Sequence, residues 1–282
     1  MEAEKQAPDW RLRHRFSFEG REVRWDSIGA GAPVVLVHGT PWSSYNLRHL
    51  IRDLSGRYRV FYYDMLGYGQ SEKPEGDVSL GIQNRVLDQL LDHWGLREPI
   101  VMGHDFGGAT ALRTHLLQGR SFKQLILIDA VALSPWGSPF FRHVRAHQAA
   151  FSGLPAFIHR AVVKAYVQTA AHHPLPDETL QGILAPWTGE AGQAAFYRQI
   201  VQADARYTDE VEERYASMAV PTLILWGEAD EWIPVQKGRE LHARLRGSKL
   251  HIIPDAGHLV IEENPRALLE AIRSFLATEP TL

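Results

Sequence analysis

The sequence of 282 residues contains no cysteine, which excludes disulfide bonds, thiolate metal ligands and a thiol nucleophile together. The sequence also lacks a large excess of charge of either sign, because 30 basic and 33 acidic residues leave a formal net charge of −3. We therefore expect neither nucleic acid nor an anionic membrane as a partner. No apolar run approaches the ~18 residues of a membrane-spanning helix. The polar start, residues 1–9, lacks the apolar core of a signal peptide, so we expect a cytoplasmic protein.

What the sequence does contain is a series of short apolar runs that alternate with helical segments. Two alternating runs at 14–18 and 22–25 flank Glu19-Gly20 and predict a β-hairpin. Apolar runs without alternation predict strands buried on both faces, at 33–37, 59–63, 99–102, 122–128, 221–226 and 250–253. Helical patterns lie at about 80–95, 109–117, 235–246 and 265–277. This order predicts an α/β fold with a mostly parallel central sheet and helices on both faces.

Residues 131–216 interrupt this alternation. The segment is rich in Ala, His, Phe, Tyr and Gln, contains several short helical patterns and has no convincing strand. We interpret it as a helical cap, or lid, inserted into a core made of residues 1–130 and 217–282.

The stretch Gly103-His104-Asp105-Phe106-Gly107-Gly108 joins a predicted buried strand to a predicted helix. Small residues at 103, 107 and 108 permit the sharp turn of a G-x-nucleophile-x-G elbow. The residue at its tip is Asp105 rather than a serine. Because a carboxylate is already ionised at pH 7, it can attack saturated carbon without a base and form an alkyl ester.

Three further motifs follow the order that such an elbow predicts. The loop His38-Gly39-Thr40-Pro41-Trp42 follows a buried strand, and the backbone N–H groups of Thr40 and Phe106 are the expected oxyanion hole. Asp230, in the loop after a late strand, is the expected acid, and His258 follows the last strand. Asp129, which ends the strand after the elbow, is an alternative acid.

Together these motifs resemble the α/β-hydrolase superfamily from about residue 15 to 277. Asp105 narrows the resemblance to the aspartate-nucleophile branch, which includes epoxide hydrolases and haloalkane dehalogenases. The resemblance implies a hydrolase of a small or medium apolar substrate, in which water activated by His258 hydrolyses an ester on Asp105. We expect a small-molecule substrate, no cofactor and no metal ion, and the oligomeric state stays open.

The enzymes of this branch differ in the leaving group and in the side chains that stabilise it. Epoxide hydrolases use one or two cap tyrosines as acids, and Ala195-Phe196-Tyr197-Arg198 resembles the second of those motifs. The first has no counterpart near 150–155, where His147 or Tyr166 are the possible substitutes. Haloalkane dehalogenases place a Trp next to the nucleophile and commonly an Asn in the first loop, where this chain has Phe106 and Thr40. An epoxide hydrolase-like activity is thus favoured narrowly over a haloalkane dehalogenase-like one.

Other aromatic and imidazole side chains are weaker candidates for the substrate pocket, namely His38, Trp42, Trp136 and His147. The pair His172-His173 beside Pro174 predicts an exposed loop rather than a metal pair. Two further alternatives remain on the same fold. One is a ligand-binding or signalling protein with little turnover, and the other is an esterase or C–C hydrolase that uses Asp105 as a base.

Overall fold

The computed structural model describes residues 8–277, so the predictions for residues 1–7 and 278–282 lie outside it. In this range one sheet contains eight strands: β1 His14–Phe18, β2 Arg21–Ile28, β3 Ala32–Val37, β4 Tyr58–Tyr63, β5 Ile100–His104, β6 Gln124–Ile128, β7 Thr222–Gly227 and β8 Lys249–Ile253. The helices outside the 131–216 segment are α1 Arg48–Leu54, α2 Leu80–His93, α3 Phe106–Gln118, α10 Val235–Arg244, α11 Val260–Glu263 and α12 Pro265–Ala277. The helices within it are α4 Pro139–Ala146, α5 Gln148–Ser152, α6 Ala156–Gln168, α7 Asp177–Leu184, α8 Gly189–Gln202 and α9 Arg206–Glu212.

The strands are ordered β1-β2-β4-β3-β5-β6-β7-β8 across the sheet. β1, β2 and β4 pair antiparallel, and every other pair is parallel. The predicted hairpin is confirmed, since Glu19 and Gly20 form its turn with positive φ angles of 50° and 79°. The predicted α/β architecture is therefore confirmed.

The centre of the sheet is apolar on both faces, as the uninterrupted runs predict. Every residue of β5, β6 and β7 is buried. Because successive side chains of a strand point to opposite faces, burial of all of them requires helices on both sides. α3 begins three residues before the predicted segment, directly after Asp105, and the short helix α1 is not among the predicted elements.

Helices α4 to α9 all lie between β6 and β7, in the segment interpreted as a cap. Ser138 caps α4, because its side chain accepts a hydrogen bond from Phe141 N–H and Pro139 stands at the first turn. Several hydrogen bonds join this insertion to the core, among them Trp187 Nε1 to the carbonyl of Pro41 at 2.8 Å. In the part of the chain that the structure describes, no helix combines the length and apolar character needed to cross a bilayer.

Candidate active site

Asp105 stands at the turn between β5 and α3 with an unusual backbone conformation, φ 52° and ψ −118°. A non-glycine residue adopts such a conformation at a cost, and it persists where the surroundings enforce it. Gly107 is required here, because a Cβ at this position would lie 2.1 Å from the carbonyl oxygen of Val37. The strained turn holds the carboxylate of Asp105 in the wall of a cavity at the end of the sheet.

The two oxygens of the Asp105 carboxylate have different partners. Oδ1 accepts a hydrogen bond of 2.7 Å from the backbone N–H of Thr40, which the sequence placed in the oxyanion hole. Phe106 is the first residue of α3, so its N–H has no acceptor within the helix. Oδ2 lies 3.3 Å from Nε2 of His258, and Asp105 is only 4% exposed. One oxygen is thus held by the backbone and the other faces the imidazole.

His258 is fully buried and is oriented by Asp230. Its Nδ1 lies 2.9 Å from Oδ2 of Asp230, and the other oxygen of that carboxylate accepts the N–H groups of Trp232 and Ile233 at 2.8 and 2.9 Å. These contacts fix the carboxylate, and an ionised carboxylate makes Nδ1 the protonated nitrogen. Nε2 is then the nitrogen that can accept a proton.

The charges around His258 determine its protonation. Burial alone lowers the pKa of this imidazole, but the carboxylates of Asp230 and Asp105 raise it well above its ordinary value of 6.5. In the free protein the imidazole therefore tends to carry a proton between two carboxylates. A change that neutralises Asp105 removes one of the two charges that raise this pKa.

The alternative acid, Asp129, is also buried but is not bonded to His258. Its Oδ1 accepts the N–H of Gly227 at 2.7 Å, while Oδ2 has no hydrogen-bond partner among the described residues. Burial and then the nearby charge of Asp230 raise the pKa of Asp129 well above its ordinary value. Of the two candidate acids, the structure therefore brings Asp230 and not Asp129 into contact with the imidazole.

One residue near the site was not singled out from the sequence. His104, the last residue of β5, is buried, and its Nε2 donates to the backbone carbonyl of His258 at 3.0 Å. Burial lowers the pKa of His104 to about 4, so the ring is neutral and its Nε2 carries the hydrogen. His104 therefore fixes the backbone of the His258 loop. A histidine directly before the elbow residue is the sequence signal for this contact.

The cavity beside Asp105 is small, about 30 Å³, and is lined mainly by apolar and aromatic side chains. The lining side chains contributed by the insertion and by the loop after β7 include Trp136, Phe141, Tyr166, Trp232 and Ile233. Because one water molecule needs about 10–15 Å³ by this kind of measure, the cavity holds only a few atoms in this conformation. A larger substrate requires some of the lining side chains or loops to move.

Few side-chain donors face this cavity. The indole N–H of Trp136 donates to Oγ1 of Thr208 at 2.9 Å, and that of Trp232 donates to Oγ1 of Thr169 at 3.0 Å. Tyr166 of α6 lines the cavity, and its ring stacks on Trp232 with centroids 4.5 Å apart. Burial raises the pKa of Tyr166, so its hydroxyl keeps its proton.

Tyr197, the tyrosine that the sequence favoured, does not line this cavity. It is fully buried on α8, and its hydroxyl lies 2.9 Å from Nδ1 of His159. Nε2 of His159 lies 2.8 Å from the carbonyl oxygen of Trp187, which makes Nε2 the donor and Nδ1 the acceptor. The hydroxyl of Tyr197 therefore donates into a packed contact between α6 and α8. The expectation that this tyrosine faces the pocket is corrected.

The other predicted pocket residues separate into two groups. Trp136 lines the cavity, whereas His38, Trp42 and His147 do not. His38 is buried, with Nδ1 2.8 Å from the carbonyl of Gly39 and Nε2 accepting the N–H of Met65 at 2.9 Å. Trp42 lies behind the site, stacked on Trp232 at 5.6 Å between ring centroids. His147 is exposed and contacts His143, so it is too far out to serve the cavity.

An elbow residue, an acid and a histidine that meet at the carboxyl ends of parallel strands define a hydrolase of the α/β fold. The chain belongs to the alpha/beta hydrolase fold family, whose model matches residues 32–265.

The proteins that resemble this chain have different activities by their names. An alpha/beta hydrolase fold protein from Burkholderia ambifaria is 49% identical with a TM-score of 0.93, over 95% of this chain and 100% of that one. A haloalkane dehalogenase from Agrobacterium tumefaciens is 22% identical with a TM-score of 0.80, over 93% of this chain and 95% of that one, a likeness of fold alone. A cis-3-alkyl-4-alkyloxetan-2-one decarboxylase from Xanthomonas campestris is 28% identical, over 89% of this chain and 90% of its own length.

Proposed function

We propose that this chain hydrolyses a small apolar substrate through an alkyl ester formed on Asp105. The observation that carries the proposal is the placement of this carboxylate. It stands where the elbow presents a nucleophile, accepts the N–H of Thr40 through Oδ1, and has Oδ2 3.3 Å from the imidazole of His258. A carboxylate that acted as a base at this place would instead activate water to attack the substrate directly, and no ester would form on Asp105.

In the first step, Oδ2 of Asp105 attacks a saturated carbon of the substrate. A C–O bond to the enzyme forms, and the bond to the leaving group breaks with its electron pair going to that group. Thr40 N–H orients the carboxylate by holding Oδ1, so that Oδ2 is the oxygen that reacts. Correct orientation of a nucleophile in a dry cavity supplies much of the rate of such a displacement.

In the second step, His258 takes a proton from water, which attacks Cγ of the esterified Asp105. Esterification has removed the charge of Asp105, one of the two charges that raise the pKa of His258, so the imidazole becomes a better-matched base. Asp230 stabilises the imidazolium that forms. The negative charge that develops on Oδ1 is stabilised by the N–H groups of Thr40 and Phe106. The bond between Cγ and Oδ2 then breaks, Oδ2 takes the proton back from His258 and leaves as the hydroxyl of the product, and the carboxylate of Asp105 is restored.

The leaving group favoured by this cavity is an epoxide oxygen. Ring opening develops charge on oxygen. Tyr166 lines the cavity, its hydroxyl keeps its proton and contacts the side chain of Ser138, and, besides burial, the charge of Asp105 is close enough to raise its pKa. A halide needs N–H donors, and the indole groups of Trp136 and Trp232 donate to Thr208 and Thr169 instead. The proposal of epoxide hydrolysis therefore depends on Tyr166 in place of Tyr197.

A second candidate substrate is a β-lactone. The decarboxylase from Xanthomonas campestris acts, by its name, on a cis-3-alkyl-4-alkyloxetan-2-one, a strained ring with an alkyl C–O bond. Attack on that carbon releases a carboxylate, which is stable without a proton donor. A cavity with few donors accommodates this chemistry, and the same ester on Asp105 would form.

The proposal is tested by trapping the ester. In an H258Q variant the first step proceeds and the second stops, so incubation with small terminal epoxides, bromoalkanes and a dialkyl oxetanone should leave a covalent adduct on Asp105. Intact mass distinguishes the substrates, because an epoxide or a lactone adds its whole mass and a bromoalkane adds its mass less HBr. Peptide mapping then locates the modified residue.

The matched control is the double variant D105N/H258Q, which keeps the shape of the site and removes the nucleophile. We expect no adduct in this variant. Complete absence of an adduct from H258Q across the panel would favour a binding protein or an esterase on this fold.

A further inference from the structure

Three side chains of the types that can bind a metal ion lie close together on the surface. They are found where the helical insertion contacts the loop that carries His258. His172 and His173 belong to the insertion, and Asp255 lies three residues before His258. Nε2 of His173 is 2.9 Å from Oδ1 of Asp255, and Nε2 of His172 is 3.8 Å from the same oxygen. One ligand atom from each residue lies within 4.8 Å of the others. His172 and His173 are exposed, as the sequence predicts, and together with Asp255 they form a cluster of possible metal ligands.

The two distances to Asp255 bracket the spacing that a tetrahedral zinc ion needs. Zinc bonds to nitrogen and oxygen at about 2.0–2.1 Å in tetrahedral geometry, which separates adjacent ligand atoms by about 3.3–3.4 Å. The two contacts to Asp255 lie on either side of that value. Both imidazoles face the same carboxylate oxygen, so the ligands already converge on one point.

The backbone around the cluster is fixed by other contacts. Glu263 accepts the N–H of His173 through Oε1 at 2.7 Å and the N–H of Gly257 through Oε2 at 2.8 Å. The N–H of Leu259 donates to the carbonyl of Ala170 at 3.2 Å. These bonds hold the two chain segments side by side, so the ligands need only side-chain rotation to surround an ion.

We propose that His172, His173 and Asp255 form a binding site for a divalent transition-metal ion such as Zn²⁺, which ties the helical insertion to the His258 loop. Two imidazoles and one carboxylate leave a fourth tetrahedral position for water. The ion is structural, since its ligands are exposed and stand outside the cavity at Asp105. Because a proton and a metal ion compete for the same imidazole nitrogen, the binding releases any proton held there.

The test is titration of the tag-free, full-length protein with ZnCl₂ at pH 7.5, read by calorimetry and thermal unfolding. We expect saturation at one ion per chain, and at an ion concentration of 100 times Kd a rise in Tm of about 5–10 °C. H173A and D255N should each abolish the saturable binding and the rise in Tm. D255N is the gentler variant, since Asn tolerates the positive φ of 55° found here.

The control is the double variant H143A/H147A, which removes another exposed pair of imidazoles, with ring centroids 4.7 Å apart. This variant should bind zinc as the unmodified protein does. The proposal is overturned if the unmodified protein shows no saturable binding, if H173A and D255N keep it, or if the control variant loses it.

Discussion

Besides Asp105, two other buried aspartates lie close to His258, and of these two only Asp230 is bonded to the imidazole. D230N keeps the size of the side chain, but its amide cannot stabilise the imidazolium and favours the wrong tautomer. We expect kcat to fall by about 10³–10⁴-fold, as in other triads that lose their acid. D129N should change kcat little, because the raised pKa of Asp129 already favours its neutral form. The comparison uses steady-state kinetics of the two variants with a compound that the trapping experiment has identified as a substrate. A larger loss of kcat in D129N than in D230N would identify Asp129 as the acid instead.

The two cap tyrosines form a second matched pair. Y166F removes the hydroxyl of a residue that lines the cavity. It should slow ester formation from an epoxide by about 100-fold, since an acid catalyst contributes at least that much. Y197F removes the bond to His159 and should cost about 1 kcal/mol of stability with the rate unchanged. Stopped-flow single turnovers measure the rate of ester formation, and urea unfolding measures the stability of each variant. Equal rates for Y166F and the unmodified protein would remove the reason to prefer an epoxide.

The sequence predicted that Asp105, Asp230 and His258 lie together more readily than it predicted the lining of the cavity, and the cause is physical. Asp105 and His258 follow buried strands, and the ends of parallel strands meet at one edge of a sheet. Tyr197 lies on a helix of the insertion, where the direction of a side chain depends on how that helix packs. The partner that turns it away, His159, belongs to another helix and has no signature in the motif around Tyr197.

At the scale of elements, the loop after β3 approaches Asp105 very closely. A Cβ added at Gly39 would lie 2.3 Å from Oδ1 and 2.4 Å from Cβ of Asp105. G39A should therefore displace the carboxylate and lower kcat by about 100-fold or more, because misplacement by 1 Å has effects of that size. Gly76 has nothing within 4 Å of an added Cβ and provides the control.

Both variants are assayed for ester formation and for thermal unfolding. G76A should match the unmodified protein in both measurements. A G39A variant that forms the ester at the normal rate would contradict the placement of Asp105 against this loop.

The central strands were predictable because each is a continuous apolar run that only a doubly covered sheet can bury, and the hairpin of β1 and β2 was predictable from its alternating runs. The insertion was predictable as a set of helices, since 131–216 contains no such run. The arrangement of α4 to α9 was not predictable, because several short amphipathic helices can pack on one another in many ways. The cavity depends on that arrangement, which is why Phe141 and Trp232 entered the account only with the structure.

For the whole molecule, the buried acid predicts how stability depends on pH. Asp129 has a folded pKa well above 3.8, so in the window from about pH 4 up to that raised pKa the native state binds more protons than the unfolded state. The free energy of unfolding therefore falls as pH rises through this window. His258 contributes in the same direction, because its folded pKa is also raised.

D129N removes the contribution of Asp129 and leaves that of His258. Its free energy of unfolding, measured in urea from about pH 5 to pH 8, should fall less steeply than that of the unmodified protein. Parallel profiles would mean that Asp129 has the same pKa in both states.

The central claim is that Asp105 itself bonds to the substrate, and the fate of one oxygen atom tests it most directly. A single turnover is run with enzyme in excess over an epoxide in H₂¹⁸O. Because water attacks Cγ of the ester, the account predicts that ¹⁸O enters the carboxylate of Asp105 and that the diol carries none. A diol labelled with ¹⁸O, together with an unlabelled Asp105, would show that water attacks the substrate itself and would contradict the account.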